Sequence, residues 1–147
     1  MTLEESLMNV GFLQAEKDID TAFLKLFRGT AALASELLIA DTPVETGHAR
    51  GNWRASRNKR FPKRKDAPTR PLAPTTESLG RGAKSHEKNL KTIDKAVVGD
   101  VLFLTNHTEY IGYLNDRASA SYQGFVQKVE LKVKTYADRR FDSIVIR

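Results

Sequence analysis

The 147-residue sequence predicts a single α+β domain. A long N-terminal helix and one or two further helices are expected to pack on a small, mostly antiparallel sheet, with a long basic loop between them. Two stretches with apolar residues at helical spacing predict the helices, and two short apolar stretches predict the strands. A charged, proline-rich stretch predicts the loop. The length fits one domain, and 40% apolar residues with 8% aromatic residues predict a modest core.

The first helix is predicted over residues 12–40, where apolar side chains recur every three or four positions from Phe12 to Ala40. A helix of about 29 residues is about 43 Å long. Pro43 disfavours helical backbone angles at Thr42, so the helix is expected to end there.

A short strand carrying Trp53 is predicted over residues 52–56. Residues 57–77 then contain four prolines and a run of basic side chains, with almost nothing to bury. This composition is typical of an exposed arm without regular structure.

Helical spacing resumes over residues 79–97, although Gly80 and Gly82 weaken the start of this second helix. A buried strand is predicted over residues 101–105. In a rival interpretation, Gly99 and Asp100 form the two-residue turn of a hairpin. The segment after Gly124 fits both periods, since its apolar residues alternate as in a strand and also follow one helix face.

Positive charge is concentrated in the middle of this +6 chain. Residues 1–49 have a balance of −5, residues 50–91 a balance of +10, and residues 92–147 a balance of +1. A local basic segment of this kind attracts nucleic acid or an acidic protein surface.

Searches for catalytic and metal-binding patterns favour a protein that is not an enzyme and needs no cofactor. There is no cysteine, no phosphate-binding glycine loop and no nucleophile elbow. His48, His86 and His107 lie far apart without the spacing of a metal site. No apolar run approaches the ~20 residues of a membrane span. The acidic start "MTLEESLMNVGF" is unlike a signal peptide, so folding in a reducing cytoplasm is expected.

The basic run supplies the candidate contact residues. One interpretation is contact with the phosphates of DNA, or with a neighbouring subunit, and the other is a solvated arm. Phe61 is the only aromatic residue from Arg57 to Lys65 and no recognition-helix motif is present, which disfavours sequence-specific binding. The candidates are Arg50, Arg54, Arg57, Lys59, Arg60, Lys63, Arg64 and Lys65.

Two blocks of the sequence resemble a known family. "TPVETGHARGNW", residues 42–53, resembles the signature of phage neck and tail-completion proteins of the HK97 gp10-like family. "LFLTNHTEYIGYLNDRASASYQGFV", residues 102–126, resembles a second element of that family. The matching positions of this second block are Asn106, Tyr110, Leu114, Ser119, Gly124, Phe125 and Val126. Asn115 and Arg117 depart from the family pattern, which has an acidic residue and a glycine there.

The resemblance implies a structural virion protein located at the neck or the top of the tail. Members of that family are thought to form a ring, commonly six-fold, which contacts neighbouring neck and tail proteins and surrounds the DNA path. The resemblance also favours a helix after Gly124. The first block is interpreted as a structural corner that ends the long helix and turns the chain so that Trp53 packs against it. The signature residues are Thr42, Pro43, Val44, Thr46, Gly47, Trp53, Asn106 and Tyr110.

An alternative function follows from the charge alone. A free-standing basic protein could bind DNA or RNA through the arm without sequence preference. Both hypotheses exclude an enzyme and a membrane protein, and they differ in whether the chain acts alone or in a ring.

Overall fold

A computed structural model describes residues 3–43, 48–62, 76–117 and 124–145. The predicted α+β class is confirmed, with long helices around a small antiparallel sheet. In chain order the elements are α1 (Leu3–Asp41), α2 (His48–Gly51), β1 (Trp53–Arg57), α3 (Thr76–Ile93), β2 (Leu102–Asn106), α4 (Ile111–Arg117) and α5 (Phe125–Val145). The short helices α2 and α4 have no counterpart among the predicted elements.

Helix α1 has 39 residues and ends before Pro43, as predicted, but begins well before Phe12. Helix α5 runs antiparallel to the C-terminal half of α1. Lys132 Nζ lies 3.1 Å from an oxygen of Asp41 near one end of the pair, and the rings of Phe23 and Phe141 lie 5.8 Å apart near the other. Residues 3–20 therefore reach beyond the end of α5 over about 27 Å. We call this segment the α1 extension.

The sheet pairs β1 with β2 in antiparallel register, from Trp53 opposite Asn106 to Arg57 opposite Leu102. The predicted strand at Trp53 is confirmed. The rival hairpin at Gly99 and Asp100 is wrong, because the chain before Gly99 is the end of α3 and its following turns. Gly99 has a φ of 92° and lies inside a turn closed by the Asp100 N–H donating to the Val97 carbonyl at 3.1 Å.

Helix α3 begins at Thr76, before both glycines that were expected to weaken its start, and ends at Ile93 rather than near residue 97. Gly82 is buried, and a Cβ there would lie 3.0 Å from Ile39 Cγ2. The missing side chain thus allows α3 to approach α1 closely, which offsets the low helix propensity of glycine.

The ambiguous tail is a helix, α5, which confirms the favoured alternative. Val129 is buried, whereas Leu131 is 61% exposed, so the alternating apolar pattern does not correspond to one buried face. The helix start is capped from α4, because Asn115 Oδ1 accepts the Val126 N–H at 2.9 Å. Gly124 makes room for this cap, since a Cβ there would overlap the Asn115 amide.

The core lies at the C-terminal end of α1, where α2, β1, α4 and α5 meet. Its buried members are Leu38, Ile39, Ala49, Trp53, Leu114, Phe125 and Val129. The predicted arm over residues 57–77 overlaps the last residue of β1 and the first two residues of α3, and residues 63–75 lie outside the described part. Within the described ranges, no helix is long and apolar enough to cross a membrane.

Candidate functional site

The corner after α1 is a hydrogen-bonded packing unit. Thr42 is fully buried, and its hydroxyl donates to the Leu38 carbonyl in the last turn of the helix. The same oxygen accepts the indole N–H of Trp53 at 2.9 Å. Trp53 is only 6% exposed and packs in the core with Leu38. Thr42 thus fixes the position of the tryptophan relative to α1. Pro43 follows directly, and the signature residues Val44, Thr46 and Gly47 lie outside the described residues.

Arg50 closes the end of α1. Its Nε donates to the Thr42 carbonyl at 2.7 Å and its Nη2 donates to the Ala40 carbonyl at 2.9 Å. The last carbonyls of a helix lack partners within the helix, and a guanidinium satisfies them while complementing the helix dipole. The side chain of this candidate contact residue is therefore engaged inside the subunit.

The two blocks that carry the family resemblance meet at this corner. Asn106 lies opposite Trp53 in the sheet, its Nδ2 donates to the Ala49 carbonyl at 2.7 Å, and its Oδ1 accepts the Thr108 N–H at 3.0 Å. Tyr110 is half-buried against the core, and its carbonyl accepts the Leu114 N–H at 3.0 Å. Each of these contacts positions backbone or core side chains.

Side chains from α3 pair with the outer edge of β1. Asn89, 1% exposed, accepts the Ala55 N–H at 2.8 Å and donates to the Trp53 carbonyl at 3.3 Å and to Ser35 Oγ at 3.0 Å. The Ser85 hydroxyl donates to the same Trp53 carbonyl. These groups satisfy a strand edge that would otherwise invite pairing with another chain. Ser35, Ser85 and Asn89 are not among the residues predicted from the sequence, because small polar residues in a helix carry no signal for burial.

Two further candidate arginines bond within the subunit. Arg54 Nη1 donates to the Gly51 carbonyl at 2.8 Å and to Ser85 Oγ at 2.9 Å. Arg57 donates to the Lys95 carbonyl and lies 3.2 Å from Asp100. The Asn58 amide and the Val97 N–H also bond to Asp100, and together with Arg57 they lower the pKa of its carboxyl. Both arginines join the sheet to α3 or to the loop that follows it.

Lys59 and Arg60 are exposed at the start of the arm. The Arg60 guanidinium lies 5.9 Å from the ring centroid of Phe103, within range of a cation–π contact. The neighbouring Phe61 carbonyl bonds to Nε2 of His107 at 2.6 Å, which fixes the base of the arm beside β2. Lys63, Arg64 and Lys65 lie outside the described residues, so their contact role stays a prediction.

A second basic feature lies on α3 and was not singled out from the sequence. Four exposed lysines recur at intervals of four, three and four residues. The first three lie on one face of α3, and the fourth lies in the turn that follows the helix. The Arg57 bond to the Lys95 carbonyl brings the end of this face next to the base of the arm. We call the set the lysine stripe; its members are Lys84, Lys88, Lys91 and Lys95.

The stripe is only weakly neutralised by the neighbouring acids. Glu87 pairs with Lys91 at 2.8 Å, and both side chains are largely exposed. Such an exposed pair within a helix is worth little and is screened by salt. The lysine spacing was visible in the sequence and would have identified the face once the limits of the helix were known.

The three histidines occupy separate packing positions. Partial burial and the neighbouring Arg81 guanidinium, 2.9 Å from Nε2, lower the pKa of His48, so the neutral ring accepts that bond. His86 Nδ1 lies 3.1 Å from Ser35 Oγ. Among the described residues, no group of three histidine or acidic side chains could hold a metal ion.

The fold and these contacts define a helix-rich α+β protein with a packed corner and a basic outer face. Comparisons with known proteins add no family: no family model, no curated protein and no solved structure matches the chain. The resemblance of residues 42–53 and 102–126 to phage neck proteins therefore rests on those residues alone.

Proposed function

We propose that this chain is a structural virion protein of a tailed bacteriophage, a neck or tail-completion subunit. In this proposal it forms a ring that joins the tail to the DNA-filled capsid. The observation that carries the proposal is the meeting of the two resembling blocks at one corner, where Trp53 bonds to Thr42 and lies opposite Asn106. Trp53 and Asn106, which are 53 positions apart in the chain and belong to the two resembling blocks, thus lie in one packing unit.

The charge distribution supports a place beside DNA or beside an acidic ring. The lysine stripe and the exposed Lys59 and Arg60 form the accessible basic surface, whereas Arg50, Arg54 and Arg57 hold the subunit together. A ring of such subunits would present a repeated basic surface to its neighbour or to its channel. This surface does not need to recognise a base sequence.

In a phage that encodes this chain, disrupting the gene is expected to yield full heads beside separate, unjoined tails. Electron microscopy of the lysate measures this directly, and the wild-type gene supplied on a plasmid should restore joined particles. A matched plasmid encoding the Trp53→Ala variant should restore few of them, because the corner is lost. Normal, infectious virions from the disrupted phage would overturn the proposal.

The lysine stripe favours a second candidate, a free-standing protein that binds nucleic acid without sequence preference. If the isolated chain binds DNA through this surface, replacing the four stripe lysines by glutamine is expected to reduce the slope of log affinity against log salt by about 3 to 4. Fluorescence anisotropy with duplex DNA at several salt concentrations measures the slope.

The matched control removes the same charge elsewhere, by replacing Lys17, Lys128, Lys132 and Lys134 with glutamine. Equal loss from both variants would indicate attraction by net charge alone, without a defined surface. An isolated chain that binds DNA only weakly, yet restores joined particles, would eliminate this second candidate.

A further inference from the structure

The α1 extension has an apolar surface that its own subunit leaves uncovered. Every side chain described from residue 8 to residue 21 is exposed. Phe12 is 70% exposed and Ile19 53%, and with Met8 and Ala15 they follow one face of the helix at intervals of three and four residues. A helical segment of this kind gains its stability from packing of the apolar face. The exposed stripe therefore indicates a partner.

The same face is covered by α5 farther along α1. There Leu26 and Gly29 line a cleft of about 330 Å³ with Tyr136 and Ile144 of α5. Among the residues that line this cleft, Ala22 is the α1 residue nearest the N-terminus. The apolar stripe of the extension thus continues a surface that is already used for helix packing within the subunit.

The charge of the extension identifies the kind of partner. Residues 3–20 contain five acidic side chains and one basic side chain, a charge of −4, so the remainder of this +6 chain carries +10. Two extensions would repel one another, whereas the extension and the body of another copy attract. This complementarity favours a head-to-tail contact over the pairing of two extensions.

The α1–α5 cleft has the chemistry to accept the extension. Lys25 and Arg140 line it together with apolar side chains, and the Arg140 guanidinium lies 5.6 Å from the Tyr136 ring centroid. Asp138 and Asp142 lie on the opposite side of α5 according to the helical period. Beside the cleft, the contact between Phe23 and Phe141 leaves both rings partly exposed, which adds apolar surface.

We propose that the α1 extension of one copy docks in the α1–α5 cleft of a second copy of this chain, with its apolar stripe inward and its acids against Lys25 and Arg140. This contact would be the interface between neighbouring subunits of the proposed ring. Its closure into a ring rests on the proposed function. Repeated head-to-tail, one interface of this type closes into a ring when the rotation between copies allows.

The experiment uses two variants of the full-length chain, studied by sedimentation velocity. The extension variant, Phe12→Gln with Ile19→Gln, keeps its charge and its helix propensity but loses the apolar stripe. The cleft variant, Lys25→Glu with Arg140→Glu, keeps the extension but reverses the charge of the cleft. Thr21→Gln, one residue after the extension and on the opposite side of α1, is the matched control. All five side chains are exposed, so the fold is expected to persist, and circular dichroism checks it.

The wild type and the Thr21→Gln control are expected to associate at about 0.1 mM, and each double variant to associate at least ten-fold more weakly. Mixing the two variants should produce a one-to-one dimer and nothing larger, because only one intact extension and one intact cleft remain per pair. This outcome is specific to a head-to-tail contact.

A monomeric wild type at that concentration would overturn the inference, as would unchanged association of either double variant. A mixture that stays monomeric would overturn it too, since paired extensions or another partner would then be needed. These results do not depend on phage particles. The proposed function fails separately, if gene disruption leaves normal virions.

Discussion

Replacing Trp53 by alanine is expected to lower the free energy of unfolding by about 3 to 5 kcal/mol, the range for truncating a large aromatic residue in a core. Trp53 is almost completely buried and contacts the elements that form the corner. Typical domains are stable by about 5 to 15 kcal/mol, so this variant would lose a large part of its stability. Urea denaturation followed by circular dichroism measures the loss.

The hydrogen bond between Trp53 and Thr42 accounts for a separable part of this effect. Thr42→Val removes the acceptor and leaves the indole N–H buried without a partner, at a cost of about 1 to 3 kcal/mol. Trp53→Phe removes the donor instead. In a double-mutant cycle the two losses are expected to add to more than the loss in the double variant, because both remove the same bond.

A matched control for the tryptophan is Tyr113→Ala, which truncates an aromatic side chain that is 58% exposed. We expect this change to cost much less than Trp53→Ala, because surface substitutions usually have small effects. Equal losses for Trp53→Ala and Tyr113→Ala would contradict the central place of the corner in the core.

The end of α1 was predictable because its cause is local. Pro43 restricts the residue before it, and the helical period stops at the same place in the sequence. The predicted start of α1 lies too far along the chain, because it depends on apolar spacing from Phe12 onward. The residues before Phe12 form helix as well, although those of their side chains that the structure describes are exposed.

The partners of the arginines could not be predicted from composition. Arg50 bonds to the carbonyl of Ala40, ten positions away, and Arg57 to the carbonyl of Lys95, 38 positions away. The sequence gives the same positive charge to these side chains and to the exposed Lys59. Only the fold separates arginines that complete the hydrogen bonds of the backbone from lysines that face solvent.

The apolar stripe of α1 shows a related limit on what can be predicted from the sequence. Its period identifies one face over the whole helix, and α5 covers that face near Leu26. The same period continues through Ile19 and Phe12, where the described structure leaves it exposed. Periodicity therefore indicates which face is apolar, whereas the element that covers it depends on where another helix ends.

The burial of Asn89 could not be predicted from the sequence, because this side chain is polar and yet buried. Its side chain acts in place of a neighbouring strand, accepting the Ala55 N–H and donating to the Trp53 carbonyl. A buried polar group of this kind is stabilising only while all its partners are present. The Ala55 N–H at the edge of β1 therefore depends on one side chain from α3 for its acceptor.

Replacing Asn89 by alanine is expected to lower the free energy of unfolding by about 2 to 4 kcal/mol, since it opens a cavity and leaves the buried Ala55 N–H without an acceptor. The Trp53 carbonyl keeps the Ser85 hydroxyl, which limits the loss. Urea denaturation measures the change, and faster hydrogen exchange at the Ala55 amide would locate it. Lys88→Ala, an exposed neighbour on α3, is the control and is expected to cost less than about 0.5 kcal/mol.

Asn89→Asp tests the same site through its pH dependence. The carboxylate can still accept the Ala55 N–H, but it lies against the Trp53 carbonyl and is buried, so its pKa is expected to rise in the folded state. A carboxyl group whose pKa is raised in the folded state makes its full contribution to stability only below its unfolded pKa. That contribution is lost as the pH rises through its folded pKa. The variant should therefore be closer to the wild type near pH 4 than at pH 7. If Asn89→Asp lost the same free energy of unfolding at pH 4 and at pH 7, the role assigned to Asn89 would be contradicted. It would also be contradicted if Asn89→Ala were as stable as the Lys88→Ala control.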